Sequence, residues 1–163
     1  MAWPVFTGTI EKEARAASRY TKKHGSCIYE DALKTEIERG RVLTENDSFV
    51  AIAPFASRFA GESMVLPKRH ITYLGDTNKK ERGDLADILK LVLKTNKEMF
   101  GDIAYNFSFH DTKYSPKLHM HLEIYPRILN LAGVELGQNV FVNTLPPEDY
   151  AEGFRLKVIS VKN

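Results

Sequence analysis

The sequence predicts an α+β fold: a mostly antiparallel sheet with one long helix and shorter helices packed against it. Three observations predict it. Residues 79–100 place Leu85, Ile88, Leu89, Val92, Met99 and Phe100 on one helical stripe. Residues 105–110 and 117–127 both alternate with a period of two, which is a strand pattern. The short connection between them favours a hairpin over a parallel crossover.

The alternation is strictest in residues 117–127, where Leu118, Met120, Leu122 and Ile124 fall on one side, as in a half-buried strand. His119, His121 and Glu123 stand in a row on the other side. In residues 105–110, Tyr105, Phe107 and Phe109 face one way, and Asn106, Ser108 and His110 the other. Pairing the two runs across residues 111–117 joins their polar faces. One sheet face then carries Asn106, Ser108, His110, His119, His121 and Glu123. A solvated face is served by Ser, Thr, Lys and Glu. Here it takes three of the five histidines in the chain, which marks a site.

The remaining elements follow in order. Trp3, Pro4, Val5 and Phe6 form an apolar segment suited to docking on the body or on a second subunit. Residues 10–23 read as a mostly polar helix containing Ala14, Ala16 and Ala17, and His24-Gly25 ends it with a C-cap signal. Ser26 is placed to cap a second helix, with Glu30 and Asp31 in its first turn, where the helix dipole favours acid. Tyr29, Leu33 and Ile37 share a face of that helix, Glu36 lies close to it, and Gly40 stops it. Residues 41–45 and 49–54 read as strands around a turn at 45–48. A loop over 54–61 holds Ser57 and Arg58. A strand over 62–67 leads into Lys68, Arg69 and His70. Asp76 or Thr77 is expected to cap the long helix, and Gly101 to close it. Beyond Arg127, residues 128–138 look irregular and 140–142 look like a short strand. Pro146-Pro147 opens a helix to about Phe154, and 156–161 reads as a final strand. One domain is expected over 1–163: an N-terminal extension (1–25), a core (26–155) and a C-terminal strand (156–163).

The totals exclude several classes. The chain has 163 residues, enough to bury a core without staples. With 23 basic and 21 acidic residues the net charge is +2, so no nucleic-acid footprint is expected. A single cysteine excludes an internal disulfide and fits a reducing compartment. No apolar run approaches the ~20 residues of a membrane span, and residues 1–10 lack a secretory signal. The expectation is a cytoplasmic protein that uses neither membrane nor nucleic acid.

His119-Met120-His121 resembles the His-x-His core of the histidine-triad (HIT-like) superfamily of nucleotide hydrolases and transferases. The resemblance is to the galactose-1-phosphate uridylyltransferase branch, and within it to the C-terminal half of those two-repeat enzymes. It covers about residues 27–155. It rests on Pro54-Phe55-Ala56-Ser57-Arg58, Leu66-Pro67-Lys68-Arg69-His70, Tyr105-Asn106 through His110, His119 through Arg127, and Pro146-Pro147-Glu148.

The resemblance implies two uses for the histidines. In catalytic halves the second histidine of His-x-His attacks the α-phosphorus of a nucleotide sugar, forming a nucleotidyl-histidine that a second acceptor resolves. His121 occupies that position. Asn106, Ser108, Arg58, Lys68, Arg127 and Glu123 would surround the substrate. Glu123 departs from the His or Gln of catalytic members, and a carboxylate there repels phosphate unless it is paired. In C-terminal halves the same region resembles a metal site, and by position its ligands are Glu36, His110, His119 and His121, a set suited to zinc or iron(II). A second zinc arrangement of the superfamily is matched only by Cys27, His70 and His119, with Glu30 where a second cysteine would stand.

The function implied is therefore nucleotide or nucleotide-sugar binding with nucleotidyl transfer, hexose-1-phosphate uridylyl- or adenylyl-, through a histidine. The alternative is a non-catalytic, metal-stabilised domain equivalent to the structural half of a uridylyltransferase, acting in binding or regulation. The resemblance also implies a homodimer.

Overall fold

The computed structural model describes residues 7–128, 132–138 and 140–162. The elements run α1 (Gly8–His24), α2 (Ile28–Glu38), β1 (Val42–Glu45), β2 (Phe49–Ile52), β3 (Ser63–Pro67), α3 (Lys79–Phe100), β4 (Tyr105–His110), β5 (His121–Pro126), α4 (Gly133–Gln138) and α5 (Pro147–Lys162). The five strands form one sheet in the order β1-β2-β3-β5-β4, with every neighbouring pair antiparallel. The α+β expectation holds. Trp3 to Phe6 lie outside the described residues.

Two apolar layers sandwich the sheet. On one face Phe49, Ala51, Val65, Leu122 and Ile124 pack with Leu85, Ile88 and Val92 of α3 and Tyr150, Ala151, Phe154 and Val158 of α5. On the other, Val50, Ile52 and Leu66 pack with Tyr29 and Leu33 of α2. β5 therefore lies between layers. His121 and Glu123 are buried, like Leu122 and Ile124. The half-buried strand expected from the alternation is buried on both sides, because α1 and α2 cover the polar side.

The hairpin forms and joins the two polar faces as expected, with His110 opposite His121 and Ser108 opposite Glu123. Its connection is longer than anticipated, running over residues 111–120. Leu118 and Met120 are buried before the strand begins, and the Met120 amide donates to the Ile71 carbonyl (2.7 Å) instead of joining the ladder.

Local chemistry shifts several helix ends. Gly25 closes α1 at φ 76°, as its missing side chain permits. Cys27, not Ser26, is the N-cap residue of α2, and the Ser26 hydroxyl is bonded to the Asp31 carboxylate instead. α3 is capped by Asn78 instead of Asp76 or Thr77. The Asn78 side chain accepts from the Glu81 amide (2.9 Å), and the Glu81 carboxylate accepts from the Asn78 amide (2.8 Å), a reciprocal capping box. Thr77 is diverted, donating its hydroxyl to the Leu74 carbonyl (2.7 Å). Ile37 is exposed, so only Tyr29 and Leu33 of the expected α2 stripe reach the sheet.

Two expected strands are absent. Residues 156–161 continue α5, because Tyr150, Phe154 and Val158 recur every four residues and bury one helical face. The β-branched residues there suggested a strand, but Ile159 simply faces solvent. Residues 140–142 pair with no strand. Phe141 packs edge-on against Phe59 (5.4 Å between centroids), and the Asn143 amide donates to the Ser57 hydroxyl (2.8 Å). Among the described residues no helix is long and apolar enough to cross a membrane.

Candidate functional site

The His-x-His segment is divided between two clusters of ligand-type side chains. His119 joins Cys27, Glu30 and His70. His121 joins Glu13, His110 and Glu123. In each set the four donor atoms lie within 4.8 Å of one another, and these are the two such groups among the described residues.

Hydrogen bonding fixes which ring nitrogen faces each cluster. A main-chain carbonyl only accepts, so any imidazole nitrogen bonded to one must carry the hydrogen. His119 donates from Nε2 to the Pro67 carbonyl (2.9 Å), His70 from Nε2 to the Pro116 carbonyl (3.1 Å), and His121 from Nδ1 to the His119 carbonyl (3.0 Å). In the neutral rings the lone pair then sits on the other nitrogen. For His119 and His70 that is Nδ1, which lies 3.7 Å from Cys27 Sγ and 3.5 Å from the Glu30 carboxylate respectively. For His121 it is Nε2, 3.7 Å from Glu123 and 4.0 Å from Glu13. An imidazole oriented by a carbonyl on one side, with its lone pair turned to a cluster on the other, is the arrangement of a metal ligand.

Burial supports the neutral form at two of these positions. It pushes the His119 pKa down to about 4, helped by His70 and His121 nearby. His121 is lowered too, first by burial and then by His110. His110 behaves differently. Burial alone would lower it, but its hydrogen bond to Glu13 (2.9 Å) and the charges of Glu123 and Glu13 raise it instead. The second cluster therefore offers two nitrogens and two carboxylates, and the first offers a thiol, a carboxylate and two nitrogens.

Glu123 is paired, and its partner is Arg58. Arg58 Nη2 lies 2.8 Å from Glu123, 3.0 Å from the Tyr125 hydroxyl and 3.3 Å from Glu62. The Tyr125 hydroxyl also donates to Glu123. Burial opposes the Glu123 charge, yet this bond, His110, His121 and Arg58 together keep its pKa below the usual range.

The other sequence candidates separate. Glu36 is not with the histidines. It is buried, ion-paired with Arg41, and accepts from the Phe55 amide (3.3 Å), while Arg41 reaches Glu148 (2.8 Å). The helix explains this, since Glu36 lies seven residues beyond Tyr29, about 10 Å along the axis, and Tyr29 is the residue that packs on His121 (4.8 Å between rings). The helical carboxylate that does reach the histidines is Glu13 of α1. A trace of it was visible, because Glu13, Ala17 and Tyr20 fall on one helical face and Ala17 is the buried residue of α1. Lys68 is paired with Glu45 (2.7 Å). Asn106 and Ser108 lie on β4 beside His110, exposed and half-buried respectively, and Arg127 is exposed at the end of β5. Glu30 completes the cluster that the sequence left one ligand short.

Comparison with known proteins places these observations in a family. The family described as galactose-1-phosphate uridyl transferase, C-terminal domain, matches residues 13–145. An ADP-glucose phosphorylase of Arabidopsis thaliana is 28% identical over 161 residues, covering 95% of this chain and 45% of that protein. Its crystal structure with bound ADP-glucose superimposes with a TM-score of 0.84. A galactose-1-phosphate uridylyltransferase of Thermotoga maritima is also 28% identical, covering 94% of this chain and 52% of that protein. A zinc-bound histidine triad family protein of Mycobacterium smegmatis, 20% identical, shares the fold with a TM-score of 0.61 over 84% of this chain and 96% of its own. The fold is HIT-like, and the chain spans about half the length of the two enzymes it matches.

Proposed function

Because the chain belongs to the galactose-1-phosphate uridyl transferase C-terminal domain family, we propose that it serves nucleotidyl transfer on a nucleotide sugar, uridylyl or adenylyl to or from a hexose 1-phosphate. Within that activity its two histidine clusters bind metal. The observation that carries this reading is the orientation of His70, His119 and His121, each donating to a main-chain carbonyl and turning its other nitrogen to a cluster. The donor sets fit: sulfur, two nitrogens and a carboxylate suit zinc, and two nitrogens with two carboxylates suit zinc or iron(II). A metal would supply structural bracing, linking α1, α2 and the sheet. Asn106, Ser108 and Arg127 are the polar residues left at the β4–β5 rim for phosphate oxygens, since Arg58 and Lys68 are engaged with carboxylates. Burial pushes the Cys27 thiol up, so a metal would have to displace its proton to gain a thiolate ligand, and a reducing, cytoplasmic location would keep the sulfur unoxidised. The edge of β4, with Tyr105 and Phe107 exposed, is a surface for a second copy of the chain.

A second reading keeps His121 as the nucleophile. Its Nδ1–H bond to the His119 carbonyl leaves the Nε2 lone pair that attack on phosphorus requires. However, Glu13 and Glu123 lie within 4.0 Å of that nitrogen and repel a phosphate, so α1 would have to withdraw.

Native mass spectrometry tests both readings. We expect two metal ions per chain in a dimer, with one lost in His70→Ala, the other in His110→Ala, and both retained in Glu36→Ala. UDP-glucose or ADP-glucose should bind without a covalent increment. A nucleoside-monophosphate adduct that vanishes in His121→Asn would overturn the metal role of His121 and establish it as nucleophile.

A further inference from the structure

The two histidine clusters share the segment 119–121, and side chains beyond it also bring them into contact. We propose that they load metal cooperatively, each ion tightening the hold on the other, with the Tyr29 ring as the link. This coupling rests on the metal reading above and adds to it a dependence of one site on the other.

Tyr29 sits where the clusters meet. It stands in the first turn of α2 between Cys27 and Glu30, which both belong to the first cluster. Its ring lies near His119 of that cluster (6.2 Å between centroids) and closer to His121 of the other (4.8 Å). The outer histidines extend the series. His70 meets His119 at 4.9 Å, and His110 meets His121 at 4.7 Å. Ring contacts therefore run without a break from His70 through Tyr29 to His110. Tyr29 also packs with Val50, Ile52 and Leu66 of the sheet, which gives its ring a fixed seat.

The main chain supplies a second connection. The His119 carbonyl accepts from His121 Nδ1 (3.0 Å), while the His119 ring serves the first cluster. Any shift of His119 thus moves the group that orients His121.

The first cluster is the looser of the two. The Glu30 carboxylate is 44% exposed and stands 3.5 Å from His70 and 3.9 Å from His119, beyond good hydrogen-bonding length. An ion there would draw Cys27 and Glu30 onto the two imidazoles and fix the first turn of α2, Tyr29 included. His121 then meets its own ion already oriented, so the cost of ordering falls only once. Charge does not oppose this. A thiolate and Glu30 balance one divalent ion, Glu13 and Glu123 balance the other, and two loaded clusters have little net charge to repel.

Cobalt(II) titration in a chelator-buffered series tests the coupling. Cys27 is the single cysteine and lies in the first cluster, so sulfur-to-cobalt absorption in the near ultraviolet reports that site alone. Metal analysis after dialysis gives the total. His70→Ala should weaken cobalt binding at the second cluster about tenfold, and His110→Ala should weaken the first by the same factor, as linkage demands. In a Tyr29→Leu background both factors should shrink several-fold, whereas Tyr29→Phe, which keeps the ring, should leave them unchanged. Equal second-cluster affinity in the parent and in His70→Ala would overturn the coupling. Undiminished factors in Tyr29→Leu would overturn the role of the ring. Two cobalt ions bound independently would leave the metal reading standing and remove the coupling alone, while a parent protein that takes up no cobalt would remove both.

Discussion

Removal of metal by a chelator should lower the melting temperature by roughly 10 °C, the effect of about 4 kcal/mol on a chain of this length. That stabilisation corresponds to a free metal concentration near a thousandfold above the dissociation constant. The reason lies in what the clusters join. Cys27 and Glu30 come from the start of α2, His70 from the segment after β3, and His119 from the approach to β5. Glu13 comes from α1, His110 from β4, and His121 and Glu123 from β5. Each cluster thus bonds segments far apart in the chain, and a metal absent from the unfolded state adds its binding energy to folding. His70→Ala should reproduce about half of the loss, since it breaks one cluster and spares the other. Identical thermal unfolding curves with and without chelator would sink the metal assignment for both.

Phe154→Ala should destabilise the protein by about 4 kcal/mol. The Phe154 side chain is fully buried, meets Tyr150 edge-on at 6.0 Å, and packs in the core with Leu85, Ile88 and Val92 of α3. The cavity it would leave is walled by a long helix and a sheet, neither of which can collapse inward easily. The neighbouring positions make the test specific to the helix. Val158→Ala should also cost about 1 kcal/mol or more, whereas Ile159→Ala, 64% exposed, should stay within about 0.5 kcal/mol. Chemical denaturation of the three variants reads this order directly. Equal losses at positions 158 and 159 would contradict the continuous α5.

The sequence was most legible where one periodicity ran without competition. The α3 stripe and the 105–110 and 117–127 alternations each predicted an element with its partner face, and the joining of the β4 and β5 polar faces followed from them. Ends and covers were less legible. Asn78 outcompetes Thr77 as a cap because Glu81 is placed to reciprocate, a choice among neighbours that only the folded backbone decides. Val158, Ile159 and Val161 carry strand propensity, and the tertiary face made with Tyr150 and Phe154 overrides it. At the site, His110, His119, His121 and Glu123 were gathered from pattern alone. Their division into two clusters was not, since it depends on Glu13 and Glu30 arriving from helices whose packing angle leaves no mark in the sequence. Glu36 was the helical carboxylate that the resemblance implied, and Glu13 takes its place beside His110. Arg41, five residues after Glu36, captures the Glu36 side chain.

The docking of α1 has a consequence for how this molecule opens. Ala17 is the one fully buried residue of that helix, while its inward contact includes the Glu13 carboxylate on His110. A helix that buries so little apolar surface is held mainly by a polar clasp, so it should detach well before the sheet melts. In amide hydrogen exchange, α1 should therefore exchange through a sub-global opening faster than β3 and β5 in metal-free protein. Metal loading should slow it towards the rate of the strands. Equal protection of α1 and β5 in the metal-free state would show instead that the helix and sheet unfold as one unit.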